Sequence, residues 1–196
     1  MGIYDDFKPN DWQESKLELK HWDHWCVDTN LPVDTLHYLA NKKAAQLLFA
    51  VVTSPAKAHR LRQLLPTLDA VFANRAEAGI LINSNTGVSQ TIEEQARALC
   101  DLGALRAIVT AGADGAAWAC PNSFGHITCP AINSQSVSGS GDVLAGTTIA
   151  ALASGKSLEE ALIYGTCAGT LSTLSDRNGP QLSWSIIKDY LAHNDA

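Results

Sequence analysis

Short, continuous apolar runs alternate with longer segments of helical period along most of this chain. Leu47-Leu48-Phe49-Ala50-Val51-Val52 is unbroken and partly β-branched, as expected for a strand buried on both faces. Ser54-Pro55 follows it. That pair combines an N-cap residue with a proline suited to a first turn, and predicts a helix through Leu65. Ala70-Val71-Phe72 and Ala107-Ile108-Val109 read as further strands. Thr91-Ile92-Glu93-Glu94 and Ser157-Leu158-Glu159-Glu160 each spell a capping box and fix two more helix starts. From Gly115 to Ala131 the character changes. Ala116–Cys120 and His126–Cys129 flank Pro121-Asn122-Ser123, the pattern of a hairpin. Repeated βα units predict an α/β fold on a mostly parallel sheet. Residues 1–24, where Trp12 and Trp22 lie among mixed charges, show no clean period, and are set apart as an atypical N-terminal segment from a domain spanning 25–196.

Composition narrows the function classes. With 196 residues, 46% of them hydrophobic and 17% charged, the chain is long enough for one domain with a sizeable core. A net charge of −6 argues against nucleic acid or an anionic membrane as the main partner and favours small-molecule chemistry. No apolar run reaches transmembrane length and the start, Met1-Gly2-Ile3-Tyr4-Asp5-Asp6, is polar, so a cytoplasmic location is expected. Cys26, Cys100, Cys120, Cys129 and Cys167 are odd in number and scattered without a CxxC pair, so reduced, mostly buried thiols are expected. His21-Trp22-Asp23-His24-Trp25-Cys26 brings metal-ligand types together. No second group at zinc-site spacing follows, which weighs against a metal centre.

Chemistry concentrates at Gly139-Ser140-Gly141-Asp142, which runs straight into the apolar stretch Val143–Ala153. Glycines at a helix mouth let consecutive backbone N–H groups converge, and the helix dipole makes that point attractive to an anion. An aspartate beside it can take a proton from an attacking hydroxyl while the amides hold charge on a transferring phosphoryl group. Asp142 is the candidate general base, and Gly139, Ser140 and Gly141 are the candidate anion hole. A dinucleotide fingerprint needs a third glycine where Leu144 stands, and a P-loop needs lysine where Thr147 stands. The alternative is an Asp142 that merely complements the dipole.

Three segments together resemble the ribokinase-like, PfkB-type family of carbohydrate and nucleoside kinases. Gly139-Ser140-Gly141-Asp142 is similar to its G-A-G-D loop, Asn74-Arg75-Ala76-Glu77 to its N-x-x-E motif, and Thr110-Ala111-Gly112-Ala113-Asp114-Gly115 to its T-x-G-x-x-G nucleotide segment. Within the family, Asp28-Thr29-Asn30-Leu31-Pro32 and Thr53-Ser54-Pro55-Ala56-Lys57-Ala58 are most similar to pseudouridine kinases.

The resemblance implies a three-layer sandwich, ATP and Mg²⁺ as cofactors, and phosphorylation of a hydroxymethyl group on a sugar or nucleoside. It assigns nucleotide binding to Thr110, Gly112 and Gly115. It gives Asn74 and Glu77 a role in organising magnesium and phosphates, Glu77 through water. Asn at an N-cap with Glu three residues on is also close to a capping box, so stability alone explains that pair equally. A tight turn into the hairpin explains Thr110, Gly112 and Gly115. Lys57 reads as a solvated helix-face residue. Gly165 and Ala168-Gly169 leave room for an adenine ring or, as simply, for close helix packing.

Ser136-Val137 stand where the family has Asp-Thr ahead of its loop, which puts activation by a monovalent cation in doubt. The likeness covers about Trp25 to Leu191, the later portion of a usual member. The glycine-rich sugar-contacting segment and β lid are therefore expected outside this chain. The expected partners are a sugar or nucleoside, with a homo-oligomer or a complementing N-terminal half left open. The other reading is a catalytically incompetent nucleotide-binding fragment or regulatory subunit of a split kinase.

Overall fold

A computed structural model describes residues 8–9, 23–83, 90–129, 139–174 and 182–194. The chain divides into two compact units, Met1–Val109 with Trp118–Phe124, and Thr110–Ala117 with Gly125–Ala196. Its strands are β1 (His24–Asp28), β2 (Leu47–Val51), β3 (Ala70–Asn74), β4 (Ala107–Thr110), β5 (Ala116–Cys120) and β6 (Ser123–Ile127). The helices are α1 (Val33–Lys42), α2 (Pro55–Ala58), α3 (Arg75–Leu81), α4 (Ile92–Asp101), α5 (Ser140–Ala153), α6 (Leu158–Thr173) and α7 (Trp184–Asn194). The strands form one six-stranded sheet in chain order, β1 to β6.

Sheet position explains the burial of each strand. β1 lies at an edge and alternates, burying Trp25 and Val27 while exposing His24 and Cys26. β2 and β3 lie inside the sheet, and Phe49, Ala50, Ala70 and Val71 are fully buried, as their continuous apolar runs require. β1, β2 and β3 pair in parallel, with Trp25 opposite Leu48 and Val51 opposite Phe72. Their carboxyl ends therefore share one edge. Near the opposite edge, Asp69 is bonded to Lys43 Nζ, and its Oδ2 accepts from the Leu48 amide at 2.8 Å. The predicted hairpin is present as β5 and β6, joined across Pro121-Asn122.

Two expectations needed correction. The helix expected through Leu65 is α-helical only to Ala58 and continues to Thr67 as a tighter 3₁₀ helix. Pro66 lies inside it, and a proline removes one donor and turns the preceding residue away from α geometry. Ser54 occupies the N-cap but its side chain makes no capping bond. All five cysteines are free thiols, yet only Cys167 is fully buried and Cys26 is exposed. Burial, helped by nearby Cys120 and Asp101, pushes the Cys100 thiol up to about 11.

The second unit is built on α5 and α6. An added Cβ at Gly165 would strike Thr148 Oγ1 and come within 2.8 Å of the Leu144 carbonyl, and one at Gly169 would lie 3.0 Å from the Ser140 carbonyl. Close packing of the two helices thus accounts for both glycines, the simpler of the alternatives. Cys167, Ala168 and Ile187 form a buried cluster covered by Val143, Tyr164, Leu171, Leu182, Tyr190 and Leu191.

Candidate active site

α5 begins at Ser140, so Gly141 and Asp142 lie within its first turn rather than ahead of it. Gly139 is the N-cap and adopts φ +82°, a left-handed conformation that favours glycine. Intrahelical bonding starts with Val143 N–H to the Gly139 carbonyl at 3.0 Å. The N–H groups of Ser140, Gly141 and Asp142 precede it and have no carbonyl within the helix to bond. Gly139 has no side chain to cap them. Gly141 is not in a positive-φ conformation, and a Cβ added there would meet nothing within 4 Å. Neither backbone strain nor packing calls for glycine at that place.

Asp142 is exposed. Its carboxylate makes no hydrogen bond or ion pair with any described residue. Ser136 and Val137, which bear on the monovalent cation, lie outside the described residues.

The same unit holds the second predicted segment. Thr110 ends β4, and Gly112–Asp114 forms one 3₁₀ turn. Ala111 N–H bonds the Gly115 carbonyl at 2.9 Å, and Gly115 N–H bonds the Gly112 carbonyl at 3.1 Å. Gly112 and Gly115 both have positive φ, and a Cβ on Gly115 would collide with the Ile127 carbonyl. The turn into the hairpin therefore explains both glycines. His126 Nε2 lies 2.6 Å from the Asp114 carbonyl and braces this turn from β6, a contact the sequence reading did not anticipate.

Asn74 and Glu77 belong to the first unit, at the end of β3 and in the first turn of α3. Glu77 N–H donates to Asn74 Oδ1 at 3.0 Å, and Asn74 N–H donates to Glu77 Oε2 at 2.9 Å. The capping box is formed. Glu77 is buried while Asn74 is exposed at the carboxyl edge of the sheet.

Sequence reasoning also missed a polar network on that edge. Thr29, fully buried, places Oγ1 at 2.8 Å from Thr53 Oγ1 and accepts the Thr53 amide at 3.0 Å. Arg60 Nη1 donates to the carbonyls of Thr29, Asn30 and Leu31 at 3.1–3.2 Å. Lys57 is half-buried and donates to Asn30 Oδ1 at 2.7 Å, so it is not the solvated residue expected. The available signal was the pair of segments around Asp28 and Thr53 already quoted for their family likeness.

Among the described residues no group of three or more His, Cys, Asp or Glu side chains could hold a metal ion. His24 and Cys26 are exposed on β1, and His21 lies outside the described residues. No described helix is long and apolar enough to cross a membrane.

A glycine-opened helix with an aspartate in its first turn thus lies in one compact unit with a glycine turn after a strand. The model of the pfkB family of carbohydrate kinases matches residues 5–183. The chain belongs to that family. The match begins ahead of Trp25, inside the stretch set apart as 1–24. The ATP-dependent 6-phosphofructokinase isozyme 2 of Escherichia coli K12 is 26% identical over 83% of this chain and 54% of its own length. The ribokinase of Staphylococcus aureus is 26% identical over 70% of this chain and 45% of its own. The chain thus spans about half the length of these curated relatives. The solved ribokinase of Thermotoga maritima is 25% identical, with a TM-score of 0.78 over 95% of this chain and 62% of that one. The α/β fold with a mostly parallel sheet is accordingly that of ribokinase-like kinases.

Proposed function

We propose that this chain carries the phosphoryl-transfer part of an ATP-dependent kinase acting on a hydroxymethyl group of a sugar or nucleoside, pseudouridine-like by preference. The observation that carries the reading is the glycine-capped start of α5, where the Gly141 and Asp142 N–H groups lack a helical acceptor and the Asp142 carboxylate meets no described partner. Such a start suits a phosphate chemically, because the amides supply fixed donors without reorganisation. Asp142 takes the proton of the acceptor hydroxyl as its oxygen bonds to the terminal phosphorus of the nucleotide, and the bond from phosphorus to the leaving diphosphate oxygen breaks. Gly139, Ser140 and Gly141 hold the negative charge on the transferring group. Thr110, Gly112 and Gly115 form the nucleotide-side turn beyond a strand's carboxyl end, where α/β sheets take ligands. Asn74 and Glu77 would hold magnesium through water, and the ion when bound neutralises phosphate charge. ATP use is supported by the name of the phosphofructokinase relative. Pseudouridine rests on Asp28–Pro32 and Thr53–Ala58 alone.

A second reading is favoured by the share of the relatives' length that the chain spans: it binds nucleotide but turns nothing over until a complementing portion supplies the acceptor-binding residues. Calorimetric titration with Mg-ATP and Mg-ADP, run beside a coupled ADP-release assay on ribose, adenosine and pseudouridine, separates the two. Heat with turnover supports the kinase, and heat without turnover supports the fragment. A folded protein that shows neither heat nor thermal shift at millimolar nucleotide counts against both.

A further inference from the structure

The carboxyl edge of β1, β2 and β3 carries a fixed cation that the proposed chemistry has not yet used. Because the three strands are parallel and in register, the turn after β1 (Asp28–Asn30), the turn after β2 (Thr53–Lys57) and the Asn74–Glu77 turn after β3 follow one another along that edge. The Val52 amide bonding the Phe72 carbonyl at 2.9 Å carries the β2–β3 ladder to the residue before Thr53. The first two turns are then locked together by the Thr29–Thr53 hydroxyl pair and by Arg60.

Within that frame one side chain is oriented by a relay. Asp28 grips Asn30 twice, accepting its backbone N–H at 2.7 Å and its Nδ2 at 3.3 Å. With the amide nitrogen so engaged, the Asn30 oxygen faces the other way and receives Lys57 Nζ at 2.7 Å. The choice of partner is informative. Lys43 and Lys156 are paired with the carboxylates of Asp69 and Glu160. Lys57 is held by a neutral amide instead, and no described carboxylate lies within ion-pair distance of it. An ammonium group donates three hydrogen bonds, and the Asn30 oxygen takes one. Fixing a long, flexible cation costs rotamer entropy, and a staple meant only for stability would gain more from a carboxylate at that position.

We propose that Lys57 is an anion contact of the first unit, binding a phosphate oxygen at its carboxyl edge, with Asn30 and Asp28 as the residues that position it. This rests on the kinase reading above. It names a residue of unassigned role and the chemistry it meets, a phosphate monoester or anhydride. Two sources share that chemistry, the nucleotide and a phosphorylated sugar.

The test compares the unaltered chain with Lys57→Met, Lys57→Arg and Asn30→Ala, titrating each with ADP, with ribose 5-phosphate and with adenosine as the phosphate-free control. Circular dichroism and thermal melting are recorded without ligand. Loss of one charged hydrogen bond predicts affinity about tenfold weaker in Lys57→Met for the ligand whose phosphate it holds, and unchanged adenosine binding. Lys57→Arg retains most of the affinity. Asn30→Ala, which leaves the charge but frees it, loses less than Lys57→Met and becomes more sensitive to salt. A loss confined to ADP assigns the contact to the nucleotide, and one confined to ribose 5-phosphate assigns it to the acceptor side. A folded Lys57→Met that binds both phosphates as tightly as the unaltered chain overturns the inference and leaves the kinase reading standing. An unaltered chain that binds none of the three ligands overturns both. If Lys57→Met does not fold, Lys57→Arg and Asn30→Ala carry the test, and equal affinity in Asn30→Ala at every salt concentration overturns the relay.

Discussion

Among the described residues four helices place an acid three residues after the N-cap, and one of them is unlike the rest. Glu77, Glu94 and Glu160 each reach back to the N-cap amide of their own helix while Asn74, Thr91 and Ser157 accept from the third N–H. At α5 the N-cap is Gly139 and the acid is Asp142, and neither half of that exchange is present. A closed helix start satisfies its own donors and has nothing left to offer. The open one presents donors and a carboxylate together, at a cost of only about a few tenths of a kcal/mol, because glycine is itself a tolerated N-cap.

The sharpest way to break this contrast is Asp142→Asn, which keeps shape and removes basicity. In whatever form of the protein shows turnover, we expect a loss of about 10²–10⁴-fold with nucleotide affinity retained. Near-normal turnover would put Asp142 back with the dipole-complementing acids. Next in size is Gly139→Ala. Its left-handed backbone should cost about 1–2 kcal/mol in urea unfolding, with weaker nucleotide binding as the donors are re-aimed. A variant as stable as the parent would mean that the glycine is dispensable to the turn.

Asn74→Ala tests the closed class. We expect about 1 kcal/mol of lost stability. The informative readout is Mg-ADP against metal-free ADP: a selective loss of the former gives the pair a magnesium role beyond its cap, whereas equal affinities leave it a cap alone. The smallest effect belongs to Glu160, fully exposed, whose carboxyl is held below its usual value first by the Ser157 backbone amide and then by Lys156 and the Ser157 hydroxyl. A lowered folded value means that its contribution is present above the ordinary carboxylate range and is lost as pH falls through the folded value. Glu160→Gln should therefore lower stability slightly at neutral pH, leave it unchanged in acid, and so flatten the acid limb of the stability curve. A steeper acid limb would contradict that assignment.

These contrasts also mark what could be read from residue order. Capping boxes at Thr91 and Ser157, the strands around Phe49, Val71 and Ile108, and the Gly139–Asp142 turn were legible because each is written in a few consecutive residues with a local physical meaning. The relay to Lys57 was not, since it joins positions 27 apart and depends on the register of β1 against β2. Exposure of Cys26 was missed for a related reason. Its neighbours are apolar, but β1 is an edge strand, and edge position is a property of the sheet rather than of the segment. Pro66 bears only on the end of the 3₁₀ segment, because its ring crowds the carbonyl four residues back, and α2 stops at Ala58, ahead of that reach.

Gly165 and Gly169 never need to meet a ligand, yet they decide how far the start of α5 can drift, because α6 lies against the carbonyls of Ser140 and Leu144 with no room for a methyl group. A random-mutagenesis screen for lost phosphate binding should for that reason return hits on α6 beside those in the glycine turn. Substitution should be tolerated less along the α5–α6 seam than at exposed positions, because a carbon added at Gly165 is felt by the backbone itself.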